Sequence, residues 1–187
     1  MDIERQYTIL EDTVRQDYVS VVWSHKIQEK QSDIYAERFK HMETLRIVLA
    51  ALTSGGIITT IFVEELWLKV VSSILSVVTA FINSYFKSFD IQSMSLRHKS
   101  AANSLWRIRE ELLILLTKIK LQVAPVSDLS NEHADTISRL SSIYLEAPST
   151  TDKAVKRASK ALNGSKDNTY TDDEIDKFLP HALRKGK

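Results

Sequence analysis

The chain has 187 residues, 25 of them basic and 24 acidic, which leaves a formal net charge of +1. Near-neutrality argues against a dedicated nucleic-acid binder, for which a strongly basic balance is expected. There is no cysteine, which excludes disulfides, thiolate metal sites and cysteine nucleophiles and fits a reducing compartment.

Four glycines and three prolines punctuate the whole length. Strand-and-turn architectures need more turn formers, so an all-α fold is expected. The opening "MDIERQYTILEDTVRQD" is charged throughout and does not have the pattern of a cleaved signal peptide. From Val14 the residues Val14, Tyr18, Val21, His25, Gln28, Ser32, Tyr35, Phe39 and Met42 follow one another in alternating steps of four and three. That is a heptad seam, and its strict period implies a left-handed coiled coil. A helix over Val14 to Met42 projects about 40 Å at 1.5 Å per residue.

Mean hydropathy is −0.17, yet apolar residues are concentrated between Leu45 and Phe86. Leu45 to Val63 is about 19 residues with one charge, Arg46, at its start. Leu66 to Phe86 is about 21 residues with one charge, Lys69, near its start. Each is long enough to span a bilayer, which takes about 20 apolar residues. Glu64 and Glu65 lie between them, and acidic groups at the bilayer centre cost about 2.5–3.5 kcal/mol each. A transmembrane hairpin with those glutamates at an aqueous apex, and Lys69 snorkelling to the same surface, resolves the conflict. Arg38, Lys40 and Arg46 precede the first span, and Lys87, Arg97 and Lys99 follow the second. The positive-inside bias then places both ends in the cytoplasm. Two alternatives stand beside this: a kink at Gly55-Gly56 in place of a turn, and a soluble bundle with two very apolar core helices.

Polar residues share a face in each span. Thr53, Gly56, Thr60 and Glu64 do so in the first, and Ser72, Ser76, Thr79 and Asn83 in the second. Small and hydroxyl residues promote close packing of membrane helices. In an oligomer the same residues are candidates to line a pore, with Glu64 ringing one mouth. Asn83 matters most, because a carboxamide deep in lipid is costly unless it pairs or faces water.

After the second span, Ile91, Met94, His98, Ala101, Leu105, Ile108, Leu112, Leu115 and Ile119 form a second heptad seam. A hairpin forces the two seams antiparallel. Pairing outward from the membrane sets Met42 near Ile91, Tyr35 near His98, Ser32 near Ala101 and Val21 near Leu112. The polar positions His25, Gln28 and Ser32 are read as setting register. The alternative role for His25 and His98 is sensing pH or a ligand.

Pro125 is expected to end this helix and to open a second region, dividing the chain into a hairpin with its stalk, 1–124, and a C-terminal helical region, 125–187. Leu129, His133, Ile137, Leu140 and Tyr144 have helical spacing, with Ser127 as N-cap. "TDKAVKRASKALNG" reads as a short helix carrying Lys153, Lys156, Arg157 and Lys160, with Gly164 at its C′ position. That basic run is a solvated face, or a contact for anionic lipid or a nucleotide. Thr171 to Glu174 forms a capping box. No HExxH, GxSxG, P-loop or GxGxxG motif occurs, and none of the five histidines has a partner at metal-ligand spacing. No enzyme activity, cofactor or metal is expected.

The stretch "HKIQEKQSDIYAERFKHMETLRIVLAALTSGG", a tight two-span hairpin and "LRHKSAANSLWRIREELLILL" together resemble the SLATT family over about Val14 to Lys120. These are two-transmembrane effector domains associated with nucleotide-second-messenger synthases and ligand sensors in bacterial conflict systems. Tyr35, His41, Ser54-Gly55-Gly56, His98, Trp106, Arg107 and Glu110-Glu111 carry the resemblance. It implies an effector in the bacterial inner membrane that oligomerises or opens on a nucleotide signal or a partner sensor. The resemblance implies that such an effector forms a pore or permeabilises the membrane and so halts an infected cell. The competing expectation is a membrane-anchored coiled-coil tether that recruits a cytoplasmic partner.

Overall fold

The computed structural model describes residues 2–62, 65–88, 90–167, 170–176 and 178. Every regular element among them is helical: α1 (Ile3–Phe62), α2 (Leu66–Ser88), α3 (Ile91–Leu121), α4 (Val126–Glu146), α5 (Asp152–Ser159) and α6 (Asp172–Asp176). A single π turn, Lys160–Gly164, continues α5.

α1 is one helix of 60 residues, about 90 Å long at 1.5 Å per residue. It carries the first heptad seam and continues without a break into the apolar stretch after Leu45. Gly55 and Gly56 lie inside it and interrupt nothing. α1 ends at Phe62 and α2 begins at Leu66, on either side of the two glutamates. Val63 and Glu64 lie outside the described residues, and Glu65 is exposed.

α2 folds back along the second half of α1, and α3 runs antiparallel to its first half. Asp90 caps α3, its carboxylate accepting the Ser93 N–H at 2.9 Å. α3 stops at Leu121, four residues before the proline expected to end it. Gln122 adopts a left-handed φ of 49° and its N–H bonds the Ile119 carbonyl, while the Val123 N–H bonds Lys118. These two bonds form a Schellman turn, which satisfies the last carbonyls without glycine.

Pro125 then takes the N-cap position of α4. Ser127, the expected cap, sits in the first turn instead, its hydroxyl on Asp128. Gly164 is likewise not the left-handed residue after α5; Lys166 is, at φ 52°. The capping box at Thr171 forms, with Glu174 accepting from the Thr171 N–H at 2.8 Å.

The core is built from three helices at the end of α1 far from α2. Leu10, Val14 and Val21 of α1 meet Leu105, Ile108, Leu112, Leu115 and Ile119 of α3 and Leu129 and Leu140 of α4. Across the expected boundary at Pro125, α4 and α5 therefore pack onto the stalk. Further along α1, α4 gives way to α5. The buried Ala154 and Ala158 let that short helix approach closely, since neither presents more than a methyl group.

The sequence predicts two membrane spans. Among the described residues one stretch, Leu66–Tyr85 of α2, is long and apolar enough to cross a membrane, and none of it is buried. Of the expected first span, 45–63, residues 45–62 are the last part of α1. Its side chains Leu45, Ile47, Val48, Leu52 and Ile58 are exposed.

Candidate functional site

Two groups of polar residues lie on this frame, one in the apolar half and one in the stalk. In the apolar half, α2 turns Leu68, Ser72, Leu75, Thr79, Ile82 and Tyr85 partly inward. Gly56 of α1 faces Ser72 so closely that an added Cβ would stand 2.9 Å from its Oγ. Three residues back on α1 and seven further on α2, the hydroxyls of Thr53 and Thr79 are 3.5 Å apart. Each threonine also donates to its own helix, Thr53 to the Leu49 carbonyl and Thr79 to that of Leu75. These hydroxyls are thus satisfied without water, which suits a low-dielectric setting.

The eight candidate pore residues separate accordingly. Thr53, Gly56, Ser72 and Thr79 come together between α1 and α2. Ser76 and Asn83 are exposed on the flank of that contact. Thr60 lies on α1, but its side chain, like all of Glu64, falls outside what is described. Leu75, which the spacing sets roughly opposite the polar face, is one of the inward residues.

In the stalk, the polar layer of the first seam meets the second. The Tyr35 ring stacks on that of His98, their centroids 5.4 Å apart. His98 is 0% exposed, and its Nδ1 lies 2.6 Å from Gln28 Oε1. A carboxamide oxygen only accepts, so Nδ1 carries the proton and donates. Gln28 in turn donates through Nε2 to the Pro148 carbonyl at 3.0 Å. Three segments of chain are joined in one relay: α3, α1 and the loop before α5.

Ser32 exchanges hydrogen bonds with Ser95, each hydroxyl donating to the other's carbonyl at 2.9 and 3.0 Å. The spacing pairs Ser32 with Ala101; the reciprocal hydroxyl bonds set it against Ser95 instead. Ala101 is buried in the α1–α3 contact.

The electrostatics follow from this burial. Burial lowers the His25 pKa to about 4, opposed by Glu29 and helped by Arg109, Lys26 and Lys99. Burial also lowers that of His98, with Arg97 adding to the effect. The Nε2 of His98 and the Nδ1 of His25 are buried without a hydrogen-bond partner, so a proton arriving there finds no acceptor. These imidazoles are kept neutral.

Three residues outside both heptad seams also hold the stalk. Gln31, 1% exposed, accepts the Thr151 N–H at 2.9 Å and the Thr151 hydroxyl at 2.7 Å. Lys26 is buried with its ammonium 2.8 Å from Glu29 and 3.4 Å from Asp167. Tyr7 donates to the Ala124 carbonyl at 2.8 Å. The heptad signal reports one partner helix. Gln31 and Lys26 face a second partner, and no periodicity in α1 announces it. Further ties run from α4 and α5 to α1: His133 to Asp17 at 2.8 Å, and Arg157 to Glu37 through two bonds of 2.8 and 2.9 Å.

Among the described residues no group of three or more His, Asp or Glu side chains could hold a metal ion. What the two groups can do is pack, hold register and carry polarity along a helix that is otherwise apolar.

A family model described as SMODS and SLOG-associating 2TM effector domain family 4 matches residues 10–174. The match runs through Pro125 and takes in α4 and α5. No curated protein and no solved structure matches the chain.

Proposed function

The chain belongs to the SMODS and SLOG-associating 2TM effector domain family, and from that membership we propose a membrane effector of a bacterial conflict system. On a nucleotide signal or contact with a partner sensor it oligomerises and permeabilises the inner membrane. Residues 45–63 and 66–86 form the transmembrane hairpin, with Glu64 and Glu65 at its periplasmic apex and both termini cytoplasmic. α1 and α3 form the antiparallel coiled-coil stalk that receives the signal. The action is mechanical and needs no catalysis or cofactor.

One observation carries this reading: the apolar stretch Leu66–Tyr85 has no buried residue. Trp67, Val77 and Phe81 are 61%, 70% and 71% exposed. In water such a surface is a liability, whereas lipid is its natural solvent. Ser76 and Asn83 add a second argument. They stand outside the α1–α2 contact; the Ser76 hydroxyl donates to the Ser72 carbonyl of its own helix at 2.9 Å, and the Asn83 carboxamide gains most by facing water or a second copy. One hairpin cannot enclose a water path, so the path belongs to an oligomer.

The test is dye release from liposomes by the assembled protein. The double variant Ser76→Leu, Asn83→Leu is expected to insert and assemble as the parent does. Its release is expected to fall by about tenfold or more, because the wet face has been made apolar. Unchanged release from an assembled double variant rules that face out.

A second reading is a membrane-anchored tether. The exposed Leu113, Ile114 and Leu121 on α3 favour it as a surface for a cytoplasmic partner. It requires that vesicles stay sealed when the stalk is engaged, which the same assay reads.

A further inference from the structure

Near the start of its apolar half, α1 and the beginning of α5 leave a groove of about 610 Å³ between them. Arg38 and His41 line it from α1, and Lys153 lines it from α5. All three side chains are exposed. The acid at its edge, Glu37, is engaged by the two bonds from Arg157, which hold its carboxyl below the usual range. The groove therefore presents net positive charge. Tyr35 and Met42, both half-buried, supply a less polar wall.

We propose that this groove holds the phosphate-bearing headgroup of an anionic lipid of the cytoplasmic leaflet. The inference rests on the membrane reading above. Depth selects the occupant. Leu45 opens the apolar half of α1, so His41 lies about 6 Å and Arg38 about 10 Å before it at 1.5 Å per residue. The headgroup layer of one leaflet is about 5–7 Å thick. His41 therefore stands within that layer, and the long side chains of Arg38 and Lys153 extend into it. Basic pockets at this depth on the cytoplasmic side are places where anionic headgroups bind.

The position of Lys153 is built, not incidental. Gln31 clamps Thr151 by two hydrogen bonds, and the buried Ala154 and Ala158 seat α5 on α1. Lys153 is thereby held at the same groove as Arg38. Lys156 and Lys160 point away from the alanine face, are exposed and do not line this groove. The volume and the Met42 wall suit a glycerol unit beside the phosphate, which a free phosphate does not have.

The experiment uses the full chain in neutral detergent, titrated with phosphatidylglycerol or phosphatidylcholine and read by native mass spectrometry. The parent is expected to retain phosphatidylglycerol preferentially. In the variant Arg38→Gln, Lys153→Gln the affinity for that lipid is expected to fall about tenfold or more. Lys156→Gln, Lys160→Gln is expected to keep it within about twofold, since those side chains lie outside the groove. An unchanged thermal melt of both variants shows that folding is intact. Equal retention by the parent and by the Arg38, Lys153 variant overturns the proposal. So does displacement of the lipid by millimolar inorganic phosphate, which would make the site one for a soluble phosphate. Flotation with liposomes separates this from the reading beneath it. A chain that fails to float defeats the membrane effector itself, whereas one that floats without lipid preference defeats only the headgroup site.

Discussion

Gln28, Gln31 and His98 show how much a few buried polar side chains decide in this stalk. Gln28 ties α1 to α3 and to the loop before α5, Gln31 ties it to that same loop, and each bond reaches a partner far away in sequence. Neutral imidazoles are part of that arrangement. For His25 the folded pKa is about 4 against 6.5 for the unfolded chain. For His98 it is lowered in the same direction. Between those values the unfolded state binds more protons, so stability rises with pH across that interval. The stabilisation is complete above about pH 6.5 and is lost as the pH falls toward 4. Thermal melts of the detergent-solubilised protein should therefore drop steadily from pH 7 to pH 5, and His25→Gln should flatten the slope. Melts independent of pH over that range contradict the assignment. The sequence marked His25, Gln28, Ser32 and His98 as polar residues in apolar seams. It did not mark Gln31 or Lys26, because a heptad reading looks for one partner and these two face another.

At the scale of elements, α3 shows how far periodicity reaches. Of the nine seam residues that its spacing selects, eight are buried and Met94 is half-buried. The seam of α1 follows the same pattern less strictly, with Val14, Val21, Gln28 and Ser32 buried and the others half-buried. Helix ends were less legible. A Schellman turn on Gln122 and a proline at an N-cap both depend on local backbone choices that several residue types permit. Between α1 and α2 the close approach at Gly56 is the testable feature. A Cβ there meets only the end of the Ser72 side chain, which can rotate away, and alanine favours a helix over glycine by about 1 kcal/mol. Gly56→Ala should therefore be tolerated. Gly56→Leu should push the helices apart, since a rotation of the Ser72 hydroxyl frees room for a methyl group but not for three further carbons. The readout is a disulfide between cysteines placed at Thr53 and Thr79, whose hydroxyls are 3.5 Å apart. It should form in the parent and in Gly56→Ala and be lost in Gly56→Leu. Crosslinking that survives leucine refutes the packing.

At the scale of the molecule, one long helix connects the two halves. α1 passes from the three-helix core into the apolar segment without interruption. The proposed topology sets which half meets which solvent. A cysteine at Glu65 should react with a membrane-impermeant thiol reagent added from the periplasmic side. Cysteines at Lys40 and Arg97 should not. Equal labelling at all three sites sinks the hairpin.

Composition and spacing alone determined that this chain is helical, that its apolar residues form a block in the middle, and which faces of α1 and α3 meet. Those properties are local or periodic, and periodicity survives in sequence because burial selects the same face turn after turn. Tertiary structure alone decided that Ser32 meets Ser95, that Gln31 clamps Thr151, and that the polar stripe of α2 divides between an inward pair and an exposed flank. It also decided that α4 and α5 complete the stalk. Each of these depends on the relative rotation and shift of helices far apart in sequence. That geometry is set by the fit of whole surfaces, a sum over many weak contacts that no single position records.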